Sequence, residues 1–313
     1  MTNIAKQTST NHQRTAIAYY HNLRELVPAH WIEQTIKANG IQQHYYRTGG
    51  VKPPLVCLHG FGESGLSWLR VARMLEVNYD IIMVDARGHG GSSGVTGGFA
   101  PEILVEDVIS LLHALRIEQV CLLGASMGGS TAAQVAVTSP DLIQALVLED
   151  PPWDLSAQLP LVASQKYQAR MKRWHAWLQQ LQAETPAERL ISALERVPPG
   201  AATWTEEEYV TWVEAWAQLD LDLVAVGPAL WSRMEVPLCN LLPRISCRML
   251  LMRSAYAFAR DAQARHMQED VLACPDIVVA DFAHAGHSIH REAFEEFVIV
   301  VRAFLRECRR RPD

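Results

Sequence analysis

Gly124-Ala125-Ser126-Met127-Gly128 is the stretch on which the reading of this chain turns. Val120 to Leu123, just before it, is apolar and reads as a buried strand, while Gly129 to Thr138, just after it, is rich in Ala and reads as a helix. A Gly-x-Ser-x-Gly turn between a strand and a helix is a nucleophile elbow. Its glycines are needed because the turn is so tight that a Cβ would strike neighbouring backbone. Ser126 is thereby held at a helix N-terminus, where backbone N–H groups and the helix dipole favour developing negative charge. Ser126 is the candidate nucleophile.

Strands and helices alternate on both sides of this turn. Upstream, Ile41 to Arg47 alternates as a strand, and Leu55 to Leu58 is a short buried one ending in His59-Gly60-Phe61-Gly62. Leu66 to Leu75 reads as an amphipathic helix. Ile81 to Val84 is the next strand, ending in Asp85-Ala86-Arg87-Gly88-His89-Gly90, and Pro101 opens a helix to Leu115. Downstream, Ala145 to Leu148 is a strand. From Trp153 to Pro243 strand signals vanish, helical periodicity takes over, and seven of the nine tryptophans appear. Strands return at Met249 to Met252 and Ile277 to Ala280, followed by a helix from about Arg291 to Arg306. The pattern predicts an α/β fold with a mostly parallel, doubly wound sheet. Its expected divisions are an N-terminal tail and helix over 1–40 (helix-like at Thr15 to Leu26), a core over 41–152 and 244–313, and a helical insertion over 153–243.

Composition excludes several classes of function. A chain of 313 residues, 49% hydrophobic, is long enough for a large core. A net charge of −6 argues against a nucleic-acid partner, and the Arg309-Arg310-Arg311 cluster suits a helix C-terminus. The six cysteines lack C-x-x-C or metal-ligand spacing and read as reduced, intracellular thiols. Met1 to Arg14 is polar, without the apolar core of a signal segment, and no stretch reaches membrane-spanning length. The expectation is a cytoplasmic protein with no membrane partner, no metal and no cofactor.

From about Gly40 onward the chain resembles the α/β-hydrolase fold superfamily. Four motifs carry the resemblance, in order: His59-Gly60-Phe61-Gly62, Asp85-Ala86-Arg87-Gly88-His89-Gly90, Gly124-Ala125-Ser126-Met127-Gly128-Gly129, and Ala285-Gly286-His287 after the last strand. The resemblance implies a catalytic triad in the order serine, acid, histidine, with His287 as the base that activates Ser126. It implies an oxyanion hole from the backbone N–H groups of Phe61 and Met127, and a helical cap where the tryptophan-rich block lies. His284 and His290 read as loop and helix-start residues. Asp85 and Arg87 read as braces of loops, and His59 and His89 as hydrogen-bonded structural groups.

The triad acid is where the chain departs from the family pattern. After the strand that follows the cap the family carries Gly-x-x-Asp, but here Ser254 and Ala257 occupy those positions. Asp261 comes four residues late and has an adequate explanation as a helix N-cap. Asp150, 24 residues past Ser126, stands at the end of the strand Ala145 to Leu148. Haloalkane dehalogenases and certain lactone hydrolases of the superfamily place their acid there. The candidates are therefore Asp150, Asp261, or no acid at all. Glu149 faces the opposite side of the strand by alternation, so it and Asp150 cannot both serve.

The cap tryptophans predict a pocket for a small apolar or aromatic acyl substrate, with Trp153, directly after Asp150-Pro151-Pro152, at its edge. A serine nucleophile excludes the superfamily's dehalogenase and epoxide hydrolase chemistries, which use aspartate at that position. The expected activity is hydrolysis of a carboxylic ester or lactone, with thioester, amide or C–C bonds also within reach of an acyl-enzyme. The alternative is a ligand-binding, receptor-like member with little turnover, motivated by Ala257 at the usual acid position.

Overall fold

The computed structural model describes residues 23–95, 98–152, 164–224, 237–255, 274 and 276–310. Eight strands form one sheet: β1 (Ile32–Ala38), β2 (Ile41–Arg47), β3 (Pro54–Leu58), β4 (Asp80–Val84), β5 (Val120–Ala125), β6 (Ile143–Glu149), β7 (Arg248–Ser254) and β8 (Ile277–Phe282). Their spatial order is β1-β2-β4-β3-β5-β6-β7-β8. The β1–β2 and β2–β4 pairs are antiparallel, and every other pair is parallel.

β1 corrects the reading of 1–40 as tail and helix, because residues 32–38 belong to the sheet. It pairs with β2 through the two-residue turn Asn39-Gly40, with φ of 45° and 77°. Left-handed Asn-Gly turns match the twist of a hairpin. β1 lies at the sheet edge with mostly exposed side chains, so it lacks the apolar run that marks a buried strand. Leu23–Glu25 is a 3₁₀ turn, and the rest of the Thr15–Leu26 stretch up to residue 22 lies outside the described residues.

The inner strands divide their side chains between two layers with the period of two that a strand imposes. Leu55, Cys57, Ile81, Met83, Leu123, Val147 and Leu250 enter one core, shared with α1 (Leu69–Leu75). Val56, Leu58, Ile82, Val84, Leu122, Leu146 and Leu251 enter the other, shared with α2 (Pro101–Ala114) and α3 (Met127–Thr138). Each fully buried side chain of this size is worth about 1.5–3 kcal/mol, which is why the centre of the sheet is the rigid part on which a site can be built.

Between β6 and β7 the described chain is helical: α4 (Gln165–Ala183), α5 (Pro186–Ala193), α6 (Glu206–Ala217) and the single turn α7 (Leu238–Leu241). α5 and α6 each start with a capping box, Thr185 with Glu188 and Thr205 with Glu208. α6 is fastened to the core at both ends. Glu207 and Glu208 pair with Arg73 and Arg70 of α1 at 2.6 and 3.3 Å. At the far end Trp216 lies against Gly62, where a Cβ would come 2.1 Å from its ring. After β8, the short α8 (Ile289–Glu292) and the long α9 (Phe294–Arg310) return along the first core layer. Among the described residues no helix is long and apolar enough to cross a membrane.

Candidate active site

Ser126 caps α3 with φ 50° and ψ −112°, a backbone conformation that costs a non-glycine residue about 1–3 kcal/mol. The surrounding glycines have the reason expected of them. A Cβ on Gly124 would lie 2.3 Å from the Gly128 carbonyl oxygen, and one on Gly128 would lie 2.2 Å from that of Leu58. Ser126 N–H donates to the Glu149 carbonyl (2.9 Å), and the Ser126 carbonyl accepts from Ser130 N–H (3.0 Å). Met127 N–H opens the helix, among the first four N–H groups that have no partner within it.

The loop after β3 sits beside this turn, since a Cβ on Gly60 would be 3.6 Å from Ser126 Cβ. Two buried histidines set its shape. His59 Nε2 accepts from Ala86 N–H (3.0 Å), and its Nδ1–H donates to the Gly60 carbonyl (2.7 Å). His89 Nε2 accepts from Gly62 N–H (3.0 Å), and its Nδ1–H donates to the Arg87 carbonyl (3.0 Å). Both arrangements require a neutral ring. Burial lowers the pKa of His59, and burial with His59 alongside takes His89 down to about 3. Phe61 lies between these two anchors.

Asp150 ends β6 with φ 41°. Its Oδ2 accepts from His287 Nδ1–H at 2.6 Å, and its Oδ1 from Ser254 N–H at 3.1 Å. Ala255 carries the stitch onward, its N–H donating to the Ala285 carbonyl (3.0 Å), so the end of β7 holds the loop that carries His287. The His287 side chain keeps 45% of its accessible surface. Burial of its ring pushes the pKa down, but the hydrogen bond and charge of Asp150, helped by Glu149 and Glu63, outweigh this and leave it above the usual 6.5.

Glu149 faces away from Asp150, as alternation requires, and its carboxylate takes the backbone N–H of His290 (2.9 Å) and its ring Nδ1–H (2.8 Å). His284 is exposed beside Glu296. Asp85 accepts from Gly65 N–H (2.6 Å), Gly91 N–H (2.8 Å) and His44 Nδ1–H (2.8 Å), while Arg87 forks onto Asp107 with two 2.6 Å bonds. These are loop braces.

Sequence reading passed over Glu63 and Arg291, an ion pair at 2.8 Å next to Gly60. Burial alone would raise the Glu63 pKa; Arg291, with His290, His59 and His287, holds it below the ordinary carboxylate range. The side of the site toward α4 and α6 is aromatic. Phe61 meets His89 at 5.4 Å, Trp174 at 6.2 Å and Phe99 at 6.4 Å between ring centres, and Trp174 meets Trp216 at 5.1 Å. Trp153, Ala257 and Asp261 lie outside the described residues. Among the described residues no group of three His, Cys, Asp or Glu could hold a metal ion.

The family model of the α/β hydrolase fold matches residues 53–196. N-formylmaleamate deformylase of Pseudomonas putida is 28% identical over 275 residues, covering 86% of this chain and 95% of that protein. The (E)-2-((N-methylformamido)methylene)succinate hydrolase of Acinetobacter baylyi is 28% identical over 213 residues, covering 66% and 77%. The crystal structure of N-formylmaleamic acid deformylase from Pseudomonas putida superposes with a TM-score of 0.70 at 23% identity, over 87% of this chain and 100% of that one. The enol-lactonase from Burkholderia xenovorans superposes at 0.65 and 21% identity, over 87% and 99%.

Proposed function

We propose that this chain, which belongs to the α/β-hydrolase fold superfamily, is a serine hydrolase that works through an acyl-enzyme on Ser126. The observation that carries the reading is the 2.6 Å bond between Asp150 and His287 Nδ1, made at the end of the strand next to the one that carries the Ser126 turn. With Nδ1–H committed to Asp150, Nε2 is the nitrogen left to take the serine proton.

In the first step His287 takes the Ser126 proton while Oγ attacks the carbonyl carbon. The oxyanion is held by Phe61 N–H and Met127 N–H, each such donor being worth about 3 kcal/mol. The tetrahedral intermediate collapses, the leaving group departs with the proton from His287, and Asp150 steadies the imidazolium in between. Water deprotonated by the same imidazole then attacks the acyl-serine and frees the acid. No cofactor enters this scheme.

A carboxylic ester or lactone with a small apolar or aromatic acyl group is the leading substrate class, because the Phe61, Phe99, Trp174 and Trp216 rings form the cap side of the site. The names of the two relatives above each carry a formyl group on nitrogen, which brings the C–N bond of an N-formyl amide into the same panel.

The test is p-nitrophenyl acetate and butyrate with a fluorophosphonate probe. A burst of nitrophenolate and labelling at Ser126, both lost in Ser126→Ala, are the expected result. Folded protein that resists the probe, and binds apolar ligands without turnover, would overturn the reading in favour of a receptor-like member of the fold.

A further inference from the structure

Glu149, the last residue of β6, and Asp150, the next, are adjacent carboxylates that grip the chain at points three residues apart. Asp150 holds His287. Glu149, fully buried, holds His290 twice, through the backbone N–H at 2.9 Å and through ring Nδ1–H at 2.8 Å and 2.9 Å to its two oxygens. The same Glu149 accepts Ser126 N–H through its carbonyl at 2.9 Å. One residue thus touches both the turn that lifts the serine and the segment that delivers the histidine.

The surroundings leave this pair little freedom. The His290 ring lies 4.5 Å from Trp68, itself fully buried, and its Nε2 is buried with no hydrogen-bond partner among the described residues. A histidine that served only to fill the core would not need its ring and its backbone tied to one carboxylate. The next two residues repeat the theme. Arg291 pairs with Glu63 beside Gly60, and Glu292 accepts Gly286 N–H at 2.8 Å. His290, Arg291 and Glu292 therefore tie the histidine loop to the acid strand, to the loop after β3 and to itself.

We propose that Glu149 and His290 are a positioning pair that sets the approach of His287 to Ser126. Neither residue touches substrate. This rests on the serine-hydrolase reading, with Ser126 as nucleophile and His287 as base. Asp150, Glu149 and Glu63 all raise the His287 pKa, so loss of the Glu149 charge is also felt at the base.

The experiment compares wild type with Glu149→Gln, which keeps the shape and one acceptor, and His290→Asn, which keeps an N–H donor. In both, kcat falls about ten- to hundred-fold, the scale on which loss of an outer-shell partner is felt elsewhere, while KM stays within about twofold. The His287 ring titration, followed by NMR without substrate, moves to lower pH in Glu149→Gln. Should Glu149→Gln fail to fold, His290→Asn carries the kcat and fluorophosphonate-rate measurements. Folded variants with wild-type kcat, labelling rate and His287 titration would overturn the proposal. A wild type that neither turns over nor labels would instead remove the serine-hydrolase reading, and the NMR titration would still judge the pair.

Discussion

Ser126 and Asp150 end neighbouring strands, each one residue beyond the paired Ala125 and Glu149, and both adopt a left-handed backbone, with φ of 50° and 41°. Two non-glycine residues in that region side by side are uncommon. Both strands end at the same level of the sheet.

Ser126→Gly separates strain from chemistry. Glycine adopts φ of 50° freely, so removing about 1–3 kcal/mol of strain outweighs the 0.5–1 kcal/mol that its added unfolded-state freedom costs. The expected outcome is a gain of about 1 kcal/mol in urea denaturation together with loss of ester hydrolysis by about 10⁴-fold or more.

Asp150→Asn keeps a residue that tolerates the left-handed region, so the fold survives. Its kcat falls by about 10³–10⁴-fold, as for a triad histidine that has lost its acid. The pH profile carries the second readout. His287 must be neutral to act as base, and its pKa lies above 6.5, so kcat/KM of the wild type declines as pH falls through that raised value. Without the Asp150 charge, burial is less opposed and the acid limb shifts to lower pH. An unshifted limb would argue against this pair.

Gly62→Ala places a methyl group where Trp216 stands and at φ of 77°. Left-handed strain and overpacking together cost about 2 kcal/mol or more. Adding Trp216→Ala recovers part of the loss, so the two changes combine to less than their sum in thermal and denaturant melts.

Trp174→Ala removes a ring that packs against Phe61 and Trp216. The ratio of kcat/KM for p-nitrophenyl octanoate over acetate rises by about tenfold, within the range that pocket methylenes can discriminate. A constant ratio would place acyl recognition elsewhere.

How far these features could be read in advance follows from the distance along the chain over which each one is written. The Ser126 turn, the glycines of the loop after β3 and the buried strands are local, because steric demand and periodicity act within a few residues. Asp150 is reachable through its interval from Ser126, but its 2.6 Å contact with His287 joins positions 137 apart, and Asp261 lies outside the described residues. Glu63 and Arg291 carry no local mark; they are 228 positions apart and meet only through the sheet order. Glu149 and His290, 141 positions apart, are the same case. β1 is hidden for a different reason, since its Asn39-Gly40 turn is a hairpin signal set beside an exposed, weakly apolar strand.

α6 enters with Glu207 and Glu208 moored to α1 and leaves with Trp216 seated on Gly62. A rod clamped at head and foot cannot swing like a door. Opening on this side would have to break the ion pairs to α1 or lift the Trp216 ring off Gly62.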